Sequence, residues 1–434
     1  MVQHIFYWLV LVLAAAPLAY YLLSLYCAVR YFREARNSSP SVPQFPPPVS
    51  ILKPVRGLDH QAYENFASYC RLDYPEYEII FAVAEADDPV VPVIERLQSD
   101  FPHRSIRLIR GVAQIGANRK VNSLCRLAHE ARYDLLVMTD SDVRVETDYL
   151  KEVAAPFADP LVGAVTSFYR CITNGCLATN LSALGMCLNS APGALVARRL
   201  EKQQRFAYGW TMATTKQILA EIGGWEAMAN YHSDDFELGN RIARRGYRVE
   251  LMPKPIHMVL PRGNLKQYLQ HQLRWSIGLK NVRPAGYRAM LLTHGLPWAL
   301  AAALVSAHMG WKDVAAAYLF LYLALRLILG WTVGVWGLGD ERVAKKLWLV
   351  PLHDALDFVA WAGGLFSDKI IWRGLTYRVR KGQLELIPER TSIGTSTAHG
   401  MSPRTAVSNK SKAPVIVRGD AHGEARVKEP VVSA

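Results

Sequence analysis

The sequence predicts an α/β fold: a doubly wound, mostly parallel sheet domain flanked by transmembrane helices. Three observations carry this expectation. Short β-branched runs alternate with helix-like stretches between residues 49 and 142, which is the rhythm of strand–helix–strand units. The apolar share of the 434 residues, 51%, is high for a purely soluble chain. That excess is concentrated at 4–29 and from about 289 to 366, with ordinary globular composition between.

The elements follow in order. HIFYWLVLVLAAAPLAYYLLSLYCAV (4–29) exceeds the ~20 residues needed to cross a hydrocarbon core, and Arg30, Arg33 and Arg36 come after it. A cleavable signal would carry its charge ahead of a shorter apolar core. Residues 1–36 therefore read as an anchor that leaves the globular middle in the cytoplasm by the positive-inside bias. A Pro-rich linker, 37–48, contains SPSVPQFPPP and is too stiff for helix or central strand. Strands are expected at VSILKPV (49–55), YEIIFAVAE (77–85), SIRLIRG (105–111) and YDLLVMTDSD (133–142). YENFASYCRL, VIERLQSDF and KVNSLCRLAHEA supply the helices between them, in a domain expected over 49–285.

A C-terminal membrane region is expected over 286–387, with spans at 290–307 and 314–336. The segment 347–366 contains His353, Asp354 and Asp357, which suit a bilayer interior only when they face protein or water. It crosses, re-enters or lies at the interface. Basic loops at 339–347 and 373–382 both favour the cytoplasmic side, and three simple spans cannot place them both there. From 388 to 434 Ser, Thr, Pro, Lys and Gly dominate, the composition of a disordered tail. The expectation is a multi-pass protein of a bacterial inner membrane.

Composition excludes other classes. Six cysteines lack a CxxC pair or a Cys/His cluster, so neither a disulfide framework nor a zinc site is indicated. The net charge of +13 gathers beside the apolar spans, as expected for attraction to lipid headgroups rather than to nucleic acid. No protein partner is evident.

The chemistry-bearing residues stand where strands end, which is where ligands bind in such sheets. Asp140 and Asp142 alternate along an extended chain and so converge; two carboxylates half-fill the shell of a hard divalent ion, Mn²⁺ or Mg²⁺. The alternative is a helix cap at Asp142. Glu85, Asp87 and Asp88 form a second acidic edge suited to a base or ribose. Asn118, Arg119 and Lys120 precede a helix in QIGANRKVNSL, where an anionic or nucleotide ligand or plain solvent fits. Ser233, Asp234 and Asp235 open another helix, where capping needs only one of them. Arg274 and Trp275 stand just before the membrane spans; Arg forks onto diphosphate and Trp stacks on rings, although an interfacial helix carries the same residues.

Taken in register, VSILKPVRGLD, LDYPEYEI, DDP, IGANRKVNSL, TDSDVRV, the SDD segment with GYRV behind it, the RW pair and IIWRGLTYRVRKG resemble the ceramide glucosyltransferase family. That family includes bacterial members that glycosylate hopanoids, within the GT-A fold of inverting glycosyltransferases. The resemblance runs from about residue 49 to 382. It implies nucleotide-sugar binding at Glu85, Asp87, Asp88, Asn118, Lys120 and Asp140, metal on Asp140 and Asp142, and a catalytic base at Asp235. It also implies a closing motif at His271, Arg274 and Trp275. Two positions depart from the family pattern: Glu85 where Asp is usual, leaving either Glu85 or Asp87 to meet the nucleotide, and His271 where Gln or Arg is usual. A histidine there is expected to titrate near pH 6.5.

The activity implied is inverting transfer of a hexose from a UDP-sugar, UDP-glucose or UDP-N-acetylglucosamine, to a hydroxyl of a membrane lipid such as ceramide or a hopanoid. The stretch 176–201 is either a membrane-surface border of the acceptor cleft or an ordinary buried helix. A processive polysaccharide synthase of the same fold and a non-catalytic membrane scaffold are the alternatives.

Overall fold

The computed structural model describes residues 2–37 and 46–388. Most of the expected Pro-rich linker, and the expected disordered tail beyond Pro388, lie outside the described residues. The eight-stranded sheet contains β1 (Val49–Pro54), β2 (Tyr77–Val83), β3 (Ser105–Arg110), β4 (Leu135–Thr139), β5 (Val143–Arg144), β6 (Val162–Ile172), β7 (Thr211–Thr215) and β8 (Arg248–Val259). Its order is β3-β2-β1-β4-β7-β6-β8-β5. Pairings β1–β2, β2–β3, β1–β4 and β6–β8 are parallel, while β7 runs antiparallel to both its neighbours, β4 and β6. The mixed α/β class is the one the sequence predicts, and the four strands and three helices read from it fall where expected.

The reason is burial on both faces. All residues of β2 and β4 are buried, so each strand reads as a continuous apolar run. Helices Ala62–Cys70 and Val91–Asp100 pack on one face through Phe66, Ile94 and Leu97, and helix Arg119–Glu130 covers the other through Val121, Leu124 and Leu127. The chain leaves β1 toward β2 on one side and returns to β4 on the other, so a topological switch lies between β1 and β4. Ligands bind beyond the carboxyl ends of the strands at such a crevice.

Two helices, His4–Asn37 and Lys312–Gly337, are long and apolar enough to cross a membrane, and the bent pair Pro284–Thr293 with Gly295–His308 makes a third if counted as one span. Helix Val350–Phe366 behaves differently. The segment before it touches the sheet domain through Arg170 to the Gly339 carbonyl (3.3 Å) and Lys346 to Thr173 (3.1 Å). The segment after it, a three-stranded sheet of β9 (Lys369–Trp372), β10 (Leu375–Arg380) and β11 (Gln383–Leu386), returns to the same domain. There the His232 N–H donates to the Gly382 carbonyl at 2.8 Å and the Leu384 N–H to the Asn230 carbonyl at 2.7 Å. Both basic loops therefore lie against one domain, and the intervening helix does not separate them. His353 and Asp354 face protein within it.

The stretch 176–201 is a largely buried succession of helix Leu177–Gly185, one π-turn Met186–Ser190 and helix Ala191–Leu200, with Leu177 and Leu200 exposed. The six cysteines are free.

Candidate active site

Lys53 lies at the carboxyl end of β1 and is fully buried. Its ammonium donates to the Thr139 hydroxyl at 2.7 Å and to the Asp140 carbonyl at 3.0 Å, and sits 3.8 Å over the Tyr69 ring. Burial pushes the amine down to about 7, against the pull of Asp140 and Asp142. This cation ties the end of β4 to β1 and so fixes the turn that carries Asp140 and Asp142. Ser141, between them, donates to Asp59. Burial first, then the neighbouring Asp140 and Asp59, push the Asp142 carboxyl up to about 7, with Arg373 opposing. The two aspartates thus converge, as the sequence predicts, in a turn rather than along a strand.

Lys120, on the first turn of helix Arg119–Glu130, connects this turn to the SDD segment. Its ammonium is 2.7 Å from Asp140, 3.6 Å from Asp234 and 3.1 Å from the Gly209 carbonyl. Burial opposes that charge, but Asp140, Asp234 and Asp235 outweigh it and hold the ammonium above its ordinary range. Asp235 accepts from the Gly209 N–H at 3.0 Å and from its own helix at Phe236 N–H, 2.7 Å. A Cβ on Gly209 would sit 3.3 Å from both Asp235 Oδ2 and Lys120 Nζ, so the close approach favours glycine. Burial and the adjacent Asp234 raise the Asp235 carboxyl to about 6, with Lys120 and the two N–H donors pulling the other way. Asp234 keeps one buried oxygen with no hydrogen-bond donor.

Helix Leu265–Val282 closes the site. The Arg274 guanidinium lies 5.8 Å over Trp372. Burial and the nearby Arg373 lower it to about 10, while Asp140 and Asp142 favour its charge. Arg373 itself pairs with Asp59 at 3.0 Å. Two guanidinium groups therefore stand within electrostatic reach of Asp140 and Asp142. The His271 ring lies tilted against Trp275, with ring centroids 4.7 Å apart. The expected titration of His271 near pH 6.5 is corrected here: burial and then Arg274 push the imidazole down to about 3. His271 is neutral at any working pH. Trp275 packs against the main core and braces this helix.

The remaining expected residues divide. Glu85 and Asp87 are exposed at the end of β2, with Glu85 3.5 Å from Arg119. Asp88 is buried and accepts from the Gly57 N–H at 3.0 and 2.9 Å and from the Val90 N–H at 3.0 Å, so its oxygens hold backbone. Asn118 is fully buried. Its carbonyl oxygen caps the helix through Lys120 and Val121, and its amide donates to the Tyr231 carbonyl at 2.8 Å. Each thus spends most of its hydrogen-bonding capacity on backbone groups. Lys53, Asp59 and Arg373 were not foreseen. Lys53 left one signal, a lone cation inside an apolar run; Arg373 left only its place in a basic motif more than 300 residues from Asp59.

Among the described residues, no three His, Cys, Asp or Glu side chains are arranged as a metal cage. Hard divalent ions that bind phosphates commonly need only one or two carboxylates. Asp140 and Asp142 fit that requirement, since Asp142 has no ion-pair partner among the described residues and its carboxyl is raised first by burial and then by the neighbouring Asp140 and Asp59. The site can hold a cation between carboxylates, grip an anion with Arg274 and Arg373, and take up a proton at Asp235.

Comparison with known proteins finds relatives in sequence and similar solved structures. Ceramide glucosyltransferase 3 of Caenorhabditis elegans is 25% identical over 230 residues, 53% of this chain and 50% of that protein. A ceramide glucosyltransferase of Komagataella phaffii is 35% identical over 101 residues, 22% of this chain and 20% of its own. The beta-monoglucosyldiacylglycerol synthase of Synechocystis is 25% identical over 195 residues, 43% of this chain and 38% of its own. The chain thus spans half or less of the length of these relatives. Among solved structures, a mannosyltransferase from Pyrobaculum calidifontis in complex with GDP-Man and Mn²⁺ is 18% identical, covering 82% of this chain and 99% of that one at a TM-score of 0.46. The model of glycosyl transferase family 21 matches residues 9–385, and the chain belongs to that family.

Proposed function

We propose that this protein transfers a hexose from a UDP-sugar to a hydroxyl of a membrane lipid, with inversion at the anomeric carbon. The observation that carries the reading is one continuous cluster: Asp140 and Asp142 joined through Lys120 to Asp234 and Asp235, and faced by Arg274 and Arg373. Inverting displacement needs one base. Asp235, raised to about 6, is ionised at neutral pH yet basic enough to accept the hydroxyl proton. The Gly209 and Phe236 N–H groups hold its carboxylate in one orientation, and Lys120, between Asp140 and Asp234, ties that segment to the donor side.

Asp140 and Asp142 would hold a divalent cation, which supplies Lewis-acid neutralisation of the leaving diphosphate. Arg274 and Arg373 add positive charge for the same oxygens, and the Arg274 guanidinium lies over the Trp372 ring. Glucose is the sugar named for the curated relatives, and ceramide or a glycerolipid the acceptor in their names; a hydroxylated lipid of either kind, or a hopanoid, fits a site beside apolar helices. The domain then faces the cytoplasm, where nucleotide sugars are supplied.

Membranes containing the protein, given labelled UDP-glucose or UDP-N-acetylglucosamine and a panel of ceramide, diacylglycerol and hopanoid acceptors, should form one glycolipid detected by mass. Asp235→Asn should lower the rate about 10²–10⁴-fold with the protein still folded. No glycolipid from any donor, or full activity in Asp235→Asn, removes the reading.

A further inference from the structure

A cavity of about 520 Å³ lies outside the cluster just described, lined by Glu201, Arg205, Arg244, Arg283 and Lys381 together with Glu237. It opens beside another face of the helix that carries Asp235. Glu237, Asn240 and Arg244 follow one another at the three- and four-residue spacing of a single helix face, whereas Asp235 turns its carboxylate to Gly209.

Four cations against two carboxylates leave the lining positive. Glu201 is shared between Arg283 and Arg205, the latter at 3.8 Å, and Glu237 is taken up by Arg241 at 2.9 Å. Arg244 and Lys381 have no acidic partner among the described residues. The side amides of Asn240 and Asn281 add neutral hydrogen-bonding groups to the same lining.

Position identifies what such a cleft meets. Gly193 lies 3.7 Å, as a built Cβ, from the Tyr20 hydroxyl, and Arg198 lies 5.6 Å over Tyr31. Helix Ala191–Leu200 thus runs alongside the N-terminal apolar helix toward its basic end, and Glu201 follows at the level of Arg30 and Arg33. Arg283, ion-paired with Glu201, immediately precedes Pro284, where the bent apolar pair begins. Both residues therefore stand at the layer where lipid headgroups lie.

We propose that this cleft binds the phosphate-bearing headgroup of an anionic phospholipid from the adjoining leaflet. Arg244 and Lys381 pair with the phosphate, and the asparagine amides take the headgroup hydroxyls. The site is separate from the reacting cluster, so its test does not read sugar transfer.

The full chain in detergent with equimolar phosphatidylglycerol and phosphatidylcholine, examined by native mass spectrometry, should retain phosphatidylglycerol preferentially. Each of Arg244→Gln and Lys381→Gln should lower that preference about fivefold and the pair about thirtyfold, whereas Lys381→Arg should keep it. Both side chains are exposed, and an unchanged melting temperature confirms that the variants are folded. Equal retention of the two lipids, or a preference untouched in the double variant, overturns the proposal. Sodium phosphate provides the other arm: if it stabilises the protein through Arg244 and Lys381 while phosphatidylglycerol is not retained, the ligand is free phosphate and the lipid assignment is wrong.

Discussion

Asp235 and His271 are both titratable groups of the candidate site, yet their surroundings send them in opposite directions. Burial and Asp234 hold the carboxyl at about 6, while burial and Arg274 hold the imidazole near 3. A base must be unprotonated to act, so the rate should rise as pH passes upward through about 6. His271→Gln should leave that limb in place, since its ring is already neutral there. A pH–rate profile of both proteins checks this; a limb that moves in His271→Gln assigns it to the histidine instead. Lys53 gives a second test. Its amine falls from an ordinary 10.5 to about 7 in the folded chain, so the unfolded chain binds that proton more tightly. The resulting stability is complete above the ordinary value and is lost as pH falls through about 7. The melting temperature of the wild type relative to Lys53→Met should therefore climb between pH 7 and 10, and activity in Lys53→Met should drop at least about tenfold as the Asp140 turn loses its tether. A melting difference flat in pH would contradict the buried-cation account.

Helix Leu265–Val282 brings Arg274 to the carboxylates, and its distance from the SDD segment is set by Gly278. A Cβ there would come within 2.9 Å of the His232 ring and 3.5 Å of Ser233. Gly278→Val is expected to push residues 232–235 away, lowering kcat about tenfold or more while the protein still inserts and folds; an unaltered kcat would show the packing to be slack. Such an element-level contact explains what the sequence discloses and what it hides. Strands β1, β2 and β4 are legible because burial on both faces writes each as a mostly apolar run, and the half-buried edge strand β3 because Ile106, Leu108 and Ile109 still give it an apolar, β-branched character. β7, with three threonines in Thr211–Thr215, carries no such run and went unread. Asp140, Asp142 and Asp235 are legible because they stand at element ends, and Arg274, in the middle of helix Leu265–Val282, because it precedes a tryptophan in the Arg-Trp pair. Asp88 and Asn118 stand at element ends too, and there they also hold the backbone of Gly57, Val90, Lys120, Val121 and Tyr231. Arg373 is illegible because only the return of β9 and β10 to the sheet brings it beside Asp59, through contacts that no local pattern encodes.

Across the whole molecule, one buried ion pair links the apolar helices to the base. Arg326, on helix Lys312–Gly330, pairs with Asp354 on helix Val350–Phe366, and Tyr322 donates to the same carboxylate at 2.9 Å. The guanidinium also donates to the Leu188 carbonyl at 2.8 Å and to the Asn189 side chain at 3.0 Å, both in the π-turn. One residue on, the Ser190 carbonyl accepts from Tyr208 at 3.2 Å, and Tyr208 adjoins Gly209, the donor to Asp235. Removing one member of a buried pair leaves the other charge uncompensated, at a cost of about 3–5 kcal/mol, whereas apolar replacement of both is often neutral. Arg326→Met should therefore lower the melting temperature sharply, and Arg326→Met with Asp354→Leu should restore most of it. Activity should behave differently. The Leu188 carbonyl and Asn189 remain without their donor in the double variant, so the π-turn, Ser190 and Tyr208 shift together, and kcat should stay low with the protein stable. Recovery of kcat in step with the melting temperature would show that Arg326 serves the fold alone. Persistent loss would mean that the apolar helices help to position the base.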